Sequence, residues 1–145
     1  MYLLDTDHLT FLQRGEGPEY DNLRIRISQV PSDDIFVSVI SFHEQMLGWH
    51  NYLSKSHDAA RLIQGYERFE RLIVAFASYQ VRSFDMAVAD IYSDLRQSRI
   101  RVGAMDLKIA SIAVAGGFTL LTRNSVDFER VPNLAFEDWT TTKST

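Results

Sequence analysis

Four acidic residues stand where the chain passes from one kind of segment to the next: Asp5, Glu44, Asp106 and Asp127. Asp5 closes the apolar run Tyr2-Leu3-Leu4. Glu44 follows the β-branched run 35–40 at the opening of a helical stretch. Asp106 heads the helix that leads into the apolar run 118–122, and Asp127 lies in the polar loop after it. If those runs are parallel strands, all four carboxylates fall beyond the same end of one sheet, where open α/β sheets build their sites. Like charges held together raise one another's pKa unless a cation compensates. Oxygen donors with no cysteine nearby suit a hard cation such as Mg²⁺ or Mn²⁺. A divalent ion in such a cup activates water and stabilises in-line displacement at a phosphodiester, so the residues point to a metal-dependent nuclease.

Taken singly, each carboxylate has a plainer reading. Asp5-Thr6-Asp7 and Asp106 fit helix caps, Ser41-x-x-Glu44 fits a capping box, and Asp127 fits a solvated loop acid. Convergence from four distant points of the chain is what raises them above it. His43-Glu44 opens an H-E-x-x-H zinc signature, but Leu47 stands where the second histidine belongs. His8, His50 and His57 are read as helix-surface or edge residues. Two other functions compete with the nuclease. Asp5-x-Asp7 after an N-terminal strand also fits the nucleophile–acid pair of a phosphatase of the haloacid dehalogenase type. The same fold without catalysis would be an RNA- or protein-binding module.

The elements that position these residues follow from periodicity. Residues 2–4, 35–40 and 118–122 read as buried strands, with 134–136 as a short edge strand. Helices are expected from His8 after a cap at Thr6 or Asp7, over about 20–29, from Ser41, from Ser83 or Asp85, and from Asp106 to Gly116-Gly117. Between them Leu62, Tyr66, Phe69, Ile73 and Phe76 recur at helical spacing. Strands alternating with helices imply an α/β sandwich around a parallel sheet.

Composition sets the bounds. At 145 residues, 46% hydrophobic and 23% charged, the chain fits one globular domain. The lack of cysteine excludes a disulfide scaffold, a thiolate metal site and a cysteine nucleophile. A net charge of −4 argues against nucleic-acid binding by a basic surface, so such a role must rest on a local site. The N-terminus lacks a basic export signal, and the weakly polar run 109–122 is too short to span a bilayer, so the expected location is the cytosol.

Four stretches then carry a resemblance. They are Leu3-Leu4-Asp5-Thr6-Asp7, Val37-Ser38-Val39-Ile40-Ser41-x-x-Glu44, Asp106-Leu-Lys-Ile-Ala-Ser-Ile-Ala113, and Leu121-Thr122-Arg123-Asn124-x-x-Asp127-Phe128-x-Arg130-Val131-Pro132 followed by Glu137-Asp138-Trp139. In order and spacing they resemble the PIN domain, and within it the VapC toxins of bacterial type II toxin–antitoxin pairs. The likeness runs through nearly the whole chain. It implies a three-layer α/β/α sandwich with a central parallel sheet and an inserted helical hairpin, one domain over 1–139; the polar run 140–145 reads from its own composition as a disordered tail. It also implies a Mg²⁺- (or Mn²⁺-) dependent endoribonuclease that cleaves cellular RNA, tRNA or rRNA, by metal-activated water.

The same resemblance assigns roles. Asp5 and Asp106 would be the main metal ligands, Glu44 would complete the cup directly or through water, and Asp127 would be the fourth acid. Relatives place that fourth acid where either Asn124 or Asp127 stands, and only Asp127 is acidic here. Thr6 and Asn124 would support the ligands by hydrogen bonds, whereas Asp7 stands where relatives often carry Asn. RNA would meet Arg123 and Arg130, with Arg96, Arg99 and Arg101 at the rim; that cluster reads equally as a basic helix end favouring its own dipole. A cognate VapB-like antitoxin is the implied partner, and the helices over 53–79 would form its groove and part of a homodimer surface.

Overall fold

Leu3 and Leu4 are both fully buried yet belong to different cores, because successive side chains of a strand point to opposite faces. The same division repeats at Leu120 and Leu121, which sets two hydrophobic layers on either side of one sheet. The computed structural model describes residues 1–142. Its strands are β1 (Tyr2–Leu4), β2 (Ile35–Ser38), β3 (Val81–Arg82), β4 (Thr119–Leu121) and β5 (Ala135–Glu137). They pair in parallel in the order β3-β2-β1-β4-β5. Parallel neighbours need long crossovers, which the helices supply.

Those helices are α1 (Thr6–Arg14), α2 (Pro18–Ile27), α3 (Val39–Ser54), α4 (Ala59–Ser78), α5 (Met86–Gln97), α6 (Ala104–Gly116) and the single turn α7 (Ser125–Phe128). On one face Leu3 and Leu120 pack with Val88 and Leu95 of α5, Ile109 and Ile112 of α6, and Phe128 of α7. On the other, Leu4, Val37 and Leu121 pack with Leu9 of α1, Leu23 of α2, Leu72 and Phe76 of α4, and Trp139. The expected three-layer sandwich is therefore present, with α3 and α4 as the helical hairpin. The chain winds outward from β1 to β2 and β3, then returns to build β4 and β5 on the other side. The switch point lies between the carboxyl ends of β1 and β4.

Several boundaries differ from expectation. β2 ends at Ser38 rather than Ile40, because the Ser38 hydroxyl accepts the N–H of Ser41 and turns Val39 and Ile40 into the first turn of α3. The helical region after it is two helices, with Asp58 capping the second. Gly65 is no break; it is buried against α3, where a Cβ would overlap Leu53. α6 starts at Ala104, two residues before Asp106, and ends at Gly116, capped by Gly117 in the left-handed region at φ 66°. β3 carries too few residues for a pattern and was not expected. Of the tail expected from residue 140, Thr140 is buried and held by Asp138 and Asn22, while Lys143, Ser144 and Thr145 lie outside the described residues.

Candidate active site

Asp5 leaves β1 and caps α1 itself, in place of Thr6 or Asp7. Its Oδ1 accepts the N–H of His8 at 2.8 Å, and its own N–H donates to the carbonyl of Leu121 on β4 at 3.0 Å. The residue thus sits at the switch point, 5% exposed. Glu44 rides the second turn of α3, not the first. The Thr6 hydroxyl donates to its Oε1 at 2.7 Å and lies 3.0 Å from the Ser41 hydroxyl, which ties α1 to α3 beside the cup.

Asp106 is the third helical residue of α6, in the first turn, where the positive end of the helix dipole favours an acid. Burial nevertheless pushes its carboxyl from an ordinary 3.8 up to about 6, and the charges of Glu44, Asp5 and Asp127 add to the push. The Asn124 amide draws it part of the way back. Asp127 lies on α7, in a segment expected to be loop. Asn124 caps that turn, accepting the Asp127 N–H and donating from Nδ2 to Asp127 Oδ2 at 2.8 Å. Asn124 and Asp127 thus form one hydrogen-bonded unit facing Asp106.

The four carboxylates share one electrostatic field, although they come from β1, α3, α6 and α7. Among the described residues no three His, Asp or Glu side chains close on one point as a ready chelate. The two findings are compatible, because Coulomb interaction acts over longer distances than a metal–oxygen bond. An all-oxygen cup of this kind fits a hydrated hard cation, which takes one or two carboxylates and keeps several waters.

The remaining expected residues are placed as follows. Asp7 is exposed in the first turn of α1 and is not among the charges acting on Asp106. Arg123 is exposed after β4, its guanidinium 5.3 Å from the ring centre of Phe11. Arg130 is exposed, with its Nη1 donating to the Arg101 carbonyl at 2.7 Å and to Asp127 Oδ1 at 3.5 Å. Arg96 lies over Tyr92, and Arg99 sits at the turn after α5 with φ 54°. His8, read as a surface residue, is fully buried. The signal in the sequence is its spacing: His8, Phe11 and Leu12 are three and four apart, on the face that α1 turns inward beside Leu9.

The fold and the cup define a class: a parallel α/β/α sandwich with an all-carboxylate site beyond the sheet's switch point. The PIN domain family matches over residues 2–134, and the chain belongs to that family. It is 28% identical over 140 residues to Ribonuclease VapC2 of Rickettsia felis, covering 96% of this chain and 98% of that one. It is 25% identical over 142 residues to the tRNA(fMet)-specific endonuclease VapC of Salmonella typhimurium, covering 95% and 97%. Among solved structures it resembles VapBC2 from Rickettsia felis bound to a DNA fragment from their promoter, at a TM-score of 0.67 and 28% identity over 95% of this chain and 98% of that one. Among the described residues no helix is long and apolar enough to cross a membrane.

Proposed function

We propose that this protein is a divalent-metal-dependent endoribonuclease of the VapC kind, a toxin that cleaves cellular RNA and is neutralised by a VapB-like antitoxin. The observation that carries the reading is the joint field of Asp5, Glu44 and Asp127 on a half-buried Asp106, in a chain that aligns end to end with ribonucleases. Asp5, Glu44, Asp106 and Asp127 would hold Mg²⁺ or Mn²⁺, with Asp5 and Asp106 as the principal ligands. When bound, such an ion supplies Lewis-acid stabilisation of phosphate charge and eases loss of a proton from water.

The protein's own groups prepare that site. Thr6 fixes Glu44 through its hydroxyl, and Asn124 fixes Asp127 through its amide. The α1 cap holds one oxygen of Asp5. Arg123, exposed beside the β4 end of the cup, is the side chain best placed to meet the RNA backbone. Arg130 serves instead to hold Asp127 and the loop carrying Arg101. The name of the Salmonella relative favours a tRNA substrate over rRNA.

For the antitoxin, the fitting surface is the groove of about 710 Å³ between α1, α3 and α4, lined by Trp49, Tyr52, Arg68, Arg71 and Tyr79. It combines aromatic and guanidinium groups, which suit a peptide bearing apolar and acidic side chains. The apolar residues Ile63, Tyr66, Ile73 and Val74 lie exposed on α4 and suit a homodimer contact. The test is expression of the chain alone and beside its neighbouring small gene, with Asp5→Ala as control. Growth arrest by the wild type only, relieved by the neighbour, is the expected result; unimpeded growth with the wild type expressed alone would contradict it.

A further inference from the structure

We propose that His8 is a positioning residue for the metal centre: its imidazole N–H steadies one oxygen of Asp5, and the main chain of Trp139 decides which ring nitrogen carries that proton. The inference rests on the metal-centre reading above. His8 is fully buried, one helical turn after Asp5. Its Nε2 accepts the backbone N–H of Trp139 at 3.2 Å. A nitrogen that accepts carries no proton, so the single N–H of the neutral ring lies on Nδ1. That Nδ1 has no aligned hydrogen-bond partner and faces Asp5 Oδ1 at 3.3 Å.

A buried N–H left without a good partner is costly, so its neighbourhood calls for a reason. Asp5 supplies one. Oδ1 already accepts the His8 backbone N–H, and the ring Nδ1 stands 3.3 Å from the same oxygen, close enough for a favourable charge–dipole contact though not aligned as a hydrogen bond. Oδ2 makes no hydrogen bond among the described residues and is left for a cation. The arrangement matches the way outer groups orient metal-binding carboxylates elsewhere. Asp138 Oδ1 comes within 3.6 Å of Nε2, but it is engaged by the N–H and hydroxyl of Thr140 at 2.8 and 2.6 Å. The segment after β5 is thereby coupled to the first ligand of the cup.

Three variants separate the two ends of the ring. His8→Asn keeps a donor near the Nδ1 position and gives up the acceptor for Trp139. His8→Gln reaches Trp139 with its carbonyl and gives up the donor near Asp5. His8→Phe gives up both. Mn²⁺ affinity is measured by calorimetry on the full chain, beside the melting temperature in EDTA. His8→Gln and His8→Phe are expected to bind Mn²⁺ roughly tenfold more weakly, and His8→Asn near the wild-type value despite a lower melting temperature. Equal affinities in all variants, or His8→Asn binding more weakly than His8→Gln, would overturn the role of His8 alone. If His8→Phe does not fold, the Asn and Gln variants still decide. A wild type that binds no Mn²⁺ would overturn the metal centre and this inference with it. Imidazole ¹⁵N shifts are expected to show the proton on Nδ1; a proton on Nε2 would contradict the proposal.

Discussion

Asp106 concentrates the chemistry of the cup in one carboxyl. Its folded-state pKa of about 6 lies above the ordinary 3.8, so between those values the folded chain holds a proton that the unfolded chain releases. The protonated carboxyl favours the folded state below about pH 4, and that advantage is lost as pH rises through 6. Asp106→Asn removes the charge at nearly constant shape. At pH 7 without metal it is expected to stabilise the protein by about 1 kcal/mol, discounted for the partial exposure of the carboxyl. The gain should vanish toward pH 4, and denaturant unfolding at both pH values checks it. RNA cleavage by the same variant should fall by at least roughly a hundredfold. The carboxylates could be found in the sequence because strand ends mark them. The bond from the Trp139 main chain to His8 could not, since the two residues lie 131 positions apart.

At the scale of elements, α7 shows how four residues serve the site. Asn124 caps the turn and holds Asp127 at once, so Asn124→Ala removes an N-cap and frees the Asp127 carboxylate, a proposed ligand. The expected cost is about 1 kcal/mol of stability, with weaker Mn²⁺ binding measured by calorimetry. Asn124→Ser keeps a capping oxygen without adding a charge and should retain most of the stability. The four-residue turn escaped the sequence reading because it offers no periodicity. β3 escaped for the same reason, being two exposed residues paired to β2. At the end of β2, Val39 and Ile40 have strand propensity, which the Ser38 cap overrides. β1, β2, β4 and β5 were readable as apolar runs, and their parallel pairing follows from the helices between them.

At the scale of the whole molecule an acidic chain is compatible with the proposed RNA substrate. Of its 19 acids, four line the cup, which leaves 15 to match 15 basic residues. A near-neutral body gives no general attraction for RNA, so binding should depend on the cation more than on a basic surface. The groove proposed for the antitoxin, between α1, α3 and α4, is separate from that demand. Trp49→Ala with Arg71→Glu is expected to weaken antitoxin binding at least tenfold by calorimetry and to leave RNA cleavage unchanged. The central claim is that the four carboxylates form a divalent-metal nuclease centre. Its most direct test is cleavage of total cellular RNA by the purified chain as Mn²⁺ is titrated, beside EDTA and Asp106→Asn controls. The account predicts cleavage that rises with Mn²⁺ and disappears with either control. Intact RNA at every Mn²⁺ concentration, or cleavage that persists in EDTA, would contradict it.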